Sequence, residues 1–289
     1  MLQDLSYGRL ENEFRNCKPR ENDRVICICD RNILVKKEPE NVLSLPSVCQ
    51  VSHWAETENW PAWDPEPLRY VFRVHGRNYF LWMGSSGRCP DPGFVYENAR
   101  AFRYPQSREL CYIVMTAWHL YNWYRANRFC GCCGAKTHHD GKERMLRCPD
   151  CGNMIYPRIS PAVIVAITDG DRLLMSKYAG RGFTHYALIA GYTEIGETLE
   201  QTVQREVMEE VGLKVTNIRY YKSQPWGVDG NLLMGFYCDL AGDDTIHLDE
   251  TELSLAEWHH RNAIPVQDDG MTLTREMIRT FAEGREPRA

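Results

Sequence analysis

The sequence predicts a mixed α and β protein in three parts. These are an N-terminal α+β unit over residues 1–125, a small cysteine-knuckle unit over 126–155, and a C-terminal mixed sheet with helices on its faces over 156–289. Three observations lead there. Runs of β-branched and aromatic residues alternate with helical periodicity in both large parts. Two Cys-x-x-Cys pairs separate those parts. A length of 289 residues suits two domains with a small insert.

In the N-terminal part, Tyr70–Trp82 has strand–turn–strand character around Gly76, and Pro61, Pro65 and Pro67 punctuate the stretch before it. Leu110, Ile113, Val114, Ala117 and Tyr121 then recur at helical spacing, with Trp118 and Trp123 read as packing residues. Two histidine pairs, His138-His139 and His259-His260, have no partner pattern and read as solvated loop.

Cys130-Gly-Cys-Cys133-Gly134 and Cys148-Pro-Asp-Cys151-Gly152 are separated by fourteen residues, the spacing of a zinc ribbon. A glycine after each knuckle allows the tight turn that brings backbone N–H groups to thiolate sulfur. Four thiolates leave no open coordination position, which makes Zn²⁺ here structural. Cys132 is surplus and could replace a ligand, although the two-residue gap favours Cys130 with Cys133. A pair of disulfides or an iron–sulfur cluster are the alternatives. The other cysteines (Cys17, Cys27, Cys29, Cys49, Cys89, Cys111 and Cys238) form no framework, and the N-terminus lacks a basic-then-apolar leader. Reduced thiols in the cytoplasm are therefore expected.

In the C-terminal part, the apolar run Ala162–Ile167, the turn Asp169-Gly170-Asp171 and Arg172–Met175 read as two strands joined by a turn. Val215–Lys222 and Leu232–Leu240 are further strands, Trp258 follows another short segment, and Thr272–Phe281 reads as a closing helix. Between them, Thr198-Leu199-Glu200-Gln201 has capping-box form and Gly212 is placed to end the helix left-handed. At ~100° per residue, Leu199, Val203, Val207 and Val211 share one stripe, Glu206 and Glu210 lie close to it, Glu209 lies at its margin, and Arg205 and Met208 point elsewhere. An acidic face needing only solvent would lie opposite the stripe. Carboxylates directed along the protein body repel one another and are costly to bury, and a hard divalent cation relieves both problems. Mg²⁺ suits one or two carboxylates together with phosphate oxygens.

These residues stand in a fixed frame: Gly191, five residues, Glu197, seven residues, then Arg205-Glu206-Val207-Met208-Glu209-Glu210-Val211-Gly212-Leu213. The frame resembles the signature of Nudix hydrolases at every specified position. The resemblance implies an α/β/α sandwich and hydrolysis, by water attack at phosphorus, of a nucleoside diphosphate linked to another moiety. It implies Mg²⁺ or Mn²⁺ held by Glu206, Glu209 and Glu210, with the Ala190 carbonyl and the distal Glu252 as further ligands. Glu197 and Arg205 would brace the loop against the helix. The general base is one of the catalytic glutamates, and which one varies within the family.

The zinc ribbon ahead of the box, Tyr156-Pro157-Arg158, and Ser223-Gln224-Pro225-Trp226 resemble the NADH pyrophosphatase branch. That implies cleavage of NADH or NAD⁺ into nicotinamide mononucleotide and AMP, or removal of an NAD cap from RNA 5′ ends, by a homodimer. By the same resemblance Glu143, Tyr156, Tyr192, Ser223, Gln224, Pro225, Trp226, Asn231 and Thr274 are substrate candidates. After Trp226 the branch's Pro-Phe-Pro-x-Ser is replaced by Gly227-Val228-Asp229-Gly230-Asn231, which is expected to loosen a loop and admit another dinucleotide or nucleotide-sugar. A non-catalytic nucleotide sensor is the rival from another class. A net charge of −5 gives no footprint for broad nucleic-acid binding, and no apolar run approaches the ~20 residues of a membrane span.

Overall fold

The computed structural model describes the chain except residues 6–7, 58–59, 61, 65, 85–86, 90, 100–101, 103–107, 181–184, 265–269 and 289. Pro61 and Pro65 lie outside the described residues. Two compact units are present: Leu2–Arg158 with Gly227–Asp229, and Met1 with Ile159–Trp226 and Gly230–Ala289.

The first unit opens with β1 (Arg24–Ile26), β2 (Ile28–Cys29), β3 (Asn32–Lys37), β4 (Leu43–Ser44) and α1 (Val48–Thr57). β5 (Leu68–Val74) and β6 (Arg77–Trp82) follow as a hairpin, then β7 (Phe94–Asn98) and α2 (Arg108–Ala126). His75 and Gly76 both have positive φ, 48° and 76°, the backbone that a two-residue hairpin needs to match strand twist. β1, β6 and β5 make one sheet, and β3 pairs β2, β4 and β7 in another. Trp54, Trp60 and Trp82 are buried in this core, with Trp60 and Trp82 stacked at 5.1 Å. Trp123 is buried on α2 while Trp118 is half-buried, in keeping with packing roles. Gly227 is buried in this unit too, where an added Cβ would come within 2.2 Å of the Met115 carbonyl oxygen on α2.

The ribbon contributes β8 (His138–His139), β9 (Leu146–Arg147) and β10 (Met154–Ile155), paired in the order β10-β9-β8. His138-His139 is therefore strand rather than solvated loop. The His139 ring lies 5.3 Å from the Phe14 ring, tilted against it, and its Nε2 lies 2.8 Å from the Tyr124 hydroxyl.

The second unit is built on β11 (Ser160–Asp169), β12 (Arg172–Tyr178), β13 (Ile189–Tyr192), α3 (Leu199–Val211), β14 (Val215–Trp226), β15 (Asn231–Leu240), β16 (Leu253–His260) and α4 (Leu273–Ala282). The strand order is β14-β15-β11-β12-β16, with β13 added to β11. β11 runs parallel to β15 and antiparallel to β12 and β13, so the sheet is mixed. Alternation along β11 feeds two cores. Val163, Val165 and Ile167 meet Val203, Val207 and Val211 of α3, while Ile164 and Ala166 meet Leu273, Met277 and Phe281 of α4. The result is an α/β/α sandwich, as expected. His259-His260 closes β16 and is strand, not loop; the His259 ring meets Tyr186 at 4.8 Å.

One element differs in a way that matters. β14 does not stop at Lys222 but continues to Trp226, pairing Ser223 with Met234 and Trp226 with Asn231. Gly227–Gly230 is then a tight hairpin turn, with Gly230 at φ 73°. The glycines close a turn between two paired strands rather than loosening a loop, and Pro225 is tolerated because β14 is an edge strand.

Candidate active site

The site begins with a well-defined helix. Thr198 Oγ1 accepts from Gln201 N–H at 3.3 Å, and Gln201 Oε1 accepts from Thr198 N–H at 2.8 Å, a complete capping box. Gly212 ends α3 at φ 69°, its N–H donating to Met208 O. Between those ends Val203, Val207 and Val211 are wholly buried, which fixes the rotation of the helix and so the direction of its acids.

Glu210 is buried, Glu206 is largely covered, and Glu209 stands in solvent. Glu206 lies against the bare Cα of Gly191 on β13. A Cβ there would fall 1.9 Å from its carboxyl carbon. Gly191 is thus the opening that lets this carboxylate reach the strand carrying Ala190, whose residue pairs with Ile164 at the sheet centre. Burial pushes the Glu206 carboxyl up, Arg205 opposes the shift, and the charges of Glu209 and Glu252 push it further up. Glu252 sits exposed just before β16, its carbonyl accepting from Ala179 N–H at 2.8 Å.

Arg205 does not point away, as simple angular counting had it. Its Nε donates to Glu197 Oε1 at 2.6 Å and its Nη2 to Glu197 Oε2 at 3.0 Å and to Tyr192 O at 2.8 Å. Its Nη1 donates to Glu206 Oε1 at 2.8 Å and Glu209 Oε2 at 2.9 Å. A long side chain can fold back along its helix, which a Cβ direction alone misses. Glu197 also accepts from Thr202 Oγ1 at 2.9 Å, and with Arg205 first among the causes its carboxyl is lowered to about 2. Arg205 holds Glu206 and Glu209 together, Glu252 is near enough for its charge to act on Glu206, and Glu210 is buried on the same helix. These oxygens suit a divalent cation by donor chemistry, while among the described residues only the four cysteine thiols lie within mutual ligand distance. Glu206, Glu209, Glu210, Glu252 and the Ala190 carbonyl are the oxygen donors available.

On β13, Tyr192 is half exposed and donates from its hydroxyl to Asn231 Oδ1 at 3.1 Å. Asn231 is the register partner of Trp226, so the structure brings Tyr192, Asn231 and Trp226 to one end of the sheet. Ser223 and Pro225 fall on the opposite face of β14 from Gln224. Gln224 itself is fully buried. Its Nε2 donates to Met271 O at 2.7 Å and its Oε1 accepts from Leu273 N–H at 2.8 Å. That amide is spent on the entry to α4 rather than presented to a base edge. Thr274, the second residue of α4, is half-buried.

In the other unit Tyr156 donates from its hydroxyl to Glu143 Oε2 at 2.9 Å, which raises the phenol's pKa. Nearby, the Sγ atoms of Cys130, Cys133, Cys148 and Cys151 all lie within 4.8 Å of one another. Gly134 and Gly152 follow at φ 77° and 74°, and the backbone N–H groups of Cys132 and Cys133 hold the Cys130 thiol down, to about 6. Cys132 is exposed and outside the cluster, so the two-residue gap decides the pairing.

Sequence comparison agrees with this geometry. The NUDIX domain family matches residues 158–281, and the NADH pyrophosphatase zinc ribbon domain family matches residues 125–156. The chain is 34% identical over 194 residues to the "NAD-capped RNA hydrolase NudC" of Stutzerimonas stutzeri, covering 67% of this chain and 70% of that one. It is 40% identical over 151 residues to the protein of that name from Vibrio atlanticus, and 39% over 159 residues to that of Klebsiella pneumoniae. Those two matches span only 56% and 62% of the relatives' own lengths. A solved Nudix hydrolase from Nitrosomonas europaea is similar over 55% of this chain and 92% of its own, at 23% identity and a TM-score of 0.48.

An α/β/α sandwich with a complete acidic box on α3, joined to a four-cysteine zinc ribbon, defines the class. The chain belongs to the Nudix hydrolase family.

Proposed function

We propose that the protein hydrolyses the pyrophosphate bond of NADH or NAD⁺, giving AMP and nicotinamide mononucleotide, in its reduced form from NADH. The single observation behind this reading is the Glu206 carboxylate seated on Gly191 and bracketed by Arg205, beside buried Glu210. Glu206, Glu209, Glu210, Glu252 and the Ala190 carbonyl would hold Mg²⁺ or Mn²⁺. When bound, such an ion neutralises the diphosphate and lowers the pKa of water. One of the catalytic glutamates Glu206, Glu209 and Glu210 takes the proton as water oxygen bonds to phosphorus. The bridging P–O bond breaks, and the leaving phosphate carries the electron pair away. Arg205, anchored by Glu197, keeps Glu206 and Glu209 in place, a positioning role. Tyr192 and Trp226 offer aromatic faces to a base or nicotinamide, with Asn231 beside them. Ser223, Pro225 and Thr274 remain candidate contacts on the neighbouring elements, as do Glu143 and Tyr156 from the ribbon if a homodimer completes the site.

The three-part division into residues 1–125, 126–155 and 156–289 is retained in this reading, with Zn²⁺ held structurally by Cys130, Cys133, Cys148 and Cys151. No helix among the described residues is long and apolar enough to cross a membrane, and action in the cytoplasm on a diffusible dinucleotide is part of the proposal. The names of the relatives favour a second substrate, the NAD-capped 5′ end of RNA, on which the same bond is broken. Purified protein with Mg²⁺ or Mn²⁺ and a panel of dinucleotides tests the reading. Two mononucleotides should form from NADH and not from ADP-ribose or diadenosine compounds. Binding without turnover, unchanged in Glu210→Gln, would instead mean a nucleotide sensor.

A further inference from the structure

A second recognition site is visible away from the acidic helix, within the Leu2–Arg158 unit. A cleft of about 270 Å³ opens there between Trp63, Asp64, Glu66 and Arg69, the end of α2, and the ribbon strand around His138. Its charges sort into two groups. Asp64 and Glu66 both pair with Arg69, at 2.9 Å and 2.5 Å, so one guanidinium offsets one of the two acids and ties both of them away from the opposite wall. On the other wall stand Arg128 and Lys136, and among the described residues neither is in an ion pair. The Arg128 guanidinium lies over the Trp63 ring, 4.8 Å from its centroid, which holds it in place beside an aromatic surface. A guanidinium fixed by stacking has given up much of its rotamer freedom before any ligand arrives.

The remaining walls narrow the ligand further. Tyr124 and Leu146 are buried at the base and present apolar surface. Thr137 is already spent, donating to Asn127 O at 2.6 Å, and both His139 nitrogens are engaged, with the Tyr124 hydroxyl at 2.8 Å and Asp140 O at 2.6 Å. The groups available to a ligand are therefore cationic donors at the mouth and ring or aliphatic faces below. A planar forked cation and an ammonium together suit the several oxygens of a phosphate monoester. The volume lies just under the ~300 Å³ at which ordinary ligand pockets begin, which suits one nucleotide and not two.

From this arrangement we infer that the cleft beside Trp63, Arg128 and Lys136 binds a nucleoside monophosphate, its phosphate on the two cations and its ring against the apolar base. The inference is independent of the hydrolase reading, because none of these residues belongs to the proposed acidic site.

The test uses the full-length zinc-bound protein labelled with ¹⁵N at its tryptophan indoles, with the Trp63 signal assigned from Trp63→Phe. Titration with AMP should move the Trp63 signal to saturation, adenosine should leave it still, and inorganic phosphate should move it only weakly. Arg128→Gln and Lys136→Gln should each weaken that response about tenfold, the loss expected for a charge-assisted hydrogen bond. NADH turnover should stay unchanged, and before AMP is added the other indole signals of each variant should match wild type, which reports an intact fold. AMP occupying the acidic site would be read separately at Trp226. A Trp63 signal unmoved by millimolar AMP, or moved equally in both variants, would overturn the inference. So would a response to a 5′-phosphorylated RNA oligomer with none to AMP, since the ligand would then be a nucleic-acid end.

Discussion

Gly191 shows how much a single residue can decide here. Its lack of a Cβ is what lets Glu206 reach the strand, and a methyl group would fall 1.9 Å from the carboxyl carbon. Gly191→Ala should therefore displace Glu206 and lower kcat about 100-fold, the scale of an ångström's misplacement. Steady-state kinetics at saturating metal checks this, and near-normal kcat would mean Glu206 is not needed where it stands. Glu197 makes a prediction about acid. Its carboxyl falls from an ordinary 4.5 to about 2, chiefly through Arg205. A lowered folded-state pKa stabilises fully above the unfolded value and is lost as pH falls through the folded one. The melting-temperature gap between wild type and Glu197→Gln should thus be constant above pH 4.5 and close as pH drops toward 2. A gap independent of pH across that range would show that the Glu197–Arg205 pair does not act electrostatically.

At the scale of elements, the helix ends and the buried strand were legible in the sequence because they are local. Thr198, Gln201 and Gly212 announce α3, and the unbroken apolar run Ala162–Ile167 announces β11. What was not legible depended on neighbours distant in the chain. Gln224 looked like a free polar contact until Met271 and Leu273 appeared around its amide, and Lys222 looked like a strand end until Asn231–Met234 paired the next four residues. Angular counting misjudged Arg205, because a Cβ direction does not report where six further side-chain atoms go, whereas the family resemblance had it bracing the loop with Glu197, as it does. The Tyr192–Asn231 hydrogen bond had no sequence signal at all, since its partners sit on different strands. The helix end carries its own prediction. Gly212 combines φ 69° with a Cβ position 2.8 Å from the His247 Cβ. Gly212→Ala should lower unfolding free energy by about 1 kcal/mol or more, read from denaturant midpoints. Thr198→Ala should remove about 1 kcal/mol by breaking the cap. Unchanged midpoints in both would mean that α3 is held by its apolar face alone.

Across the whole molecule, two donor sets differ in kind: sulfur in the ribbon, and the oxygens proposed for the acidic helix. Four clustered thiols would close a coordination shell, whereas carboxylates in the proposed site would leave room for phosphate oxygens. Cys148→Ser should consequently lower folded yield and thermal stability while leaving the Mg²⁺ dependence of the surviving enzyme as it was. Full stability with lost turnover would make that thiol functional instead. Both the ribbon and the acidic box could be identified from spacing alone, since fixed offsets on short segments determine them. The ligand of the Trp63 cleft could not, because its walls come from three separate stretches of chain.

The most direct test is hydrolysis of NADH in ¹⁸O-labelled water with Mg²⁺ or Mn²⁺, followed by mass analysis of both products, for wild type and Glu210→Gln. Equal amounts of reduced nicotinamide mononucleotide and AMP should form, one of them carrying a single heavy oxygen. Turnover should fall about 10³-fold or more in the variant, with its fold retained. Intact NADH after prolonged incubation of the wild type, or equal turnover by the variant, would contradict it.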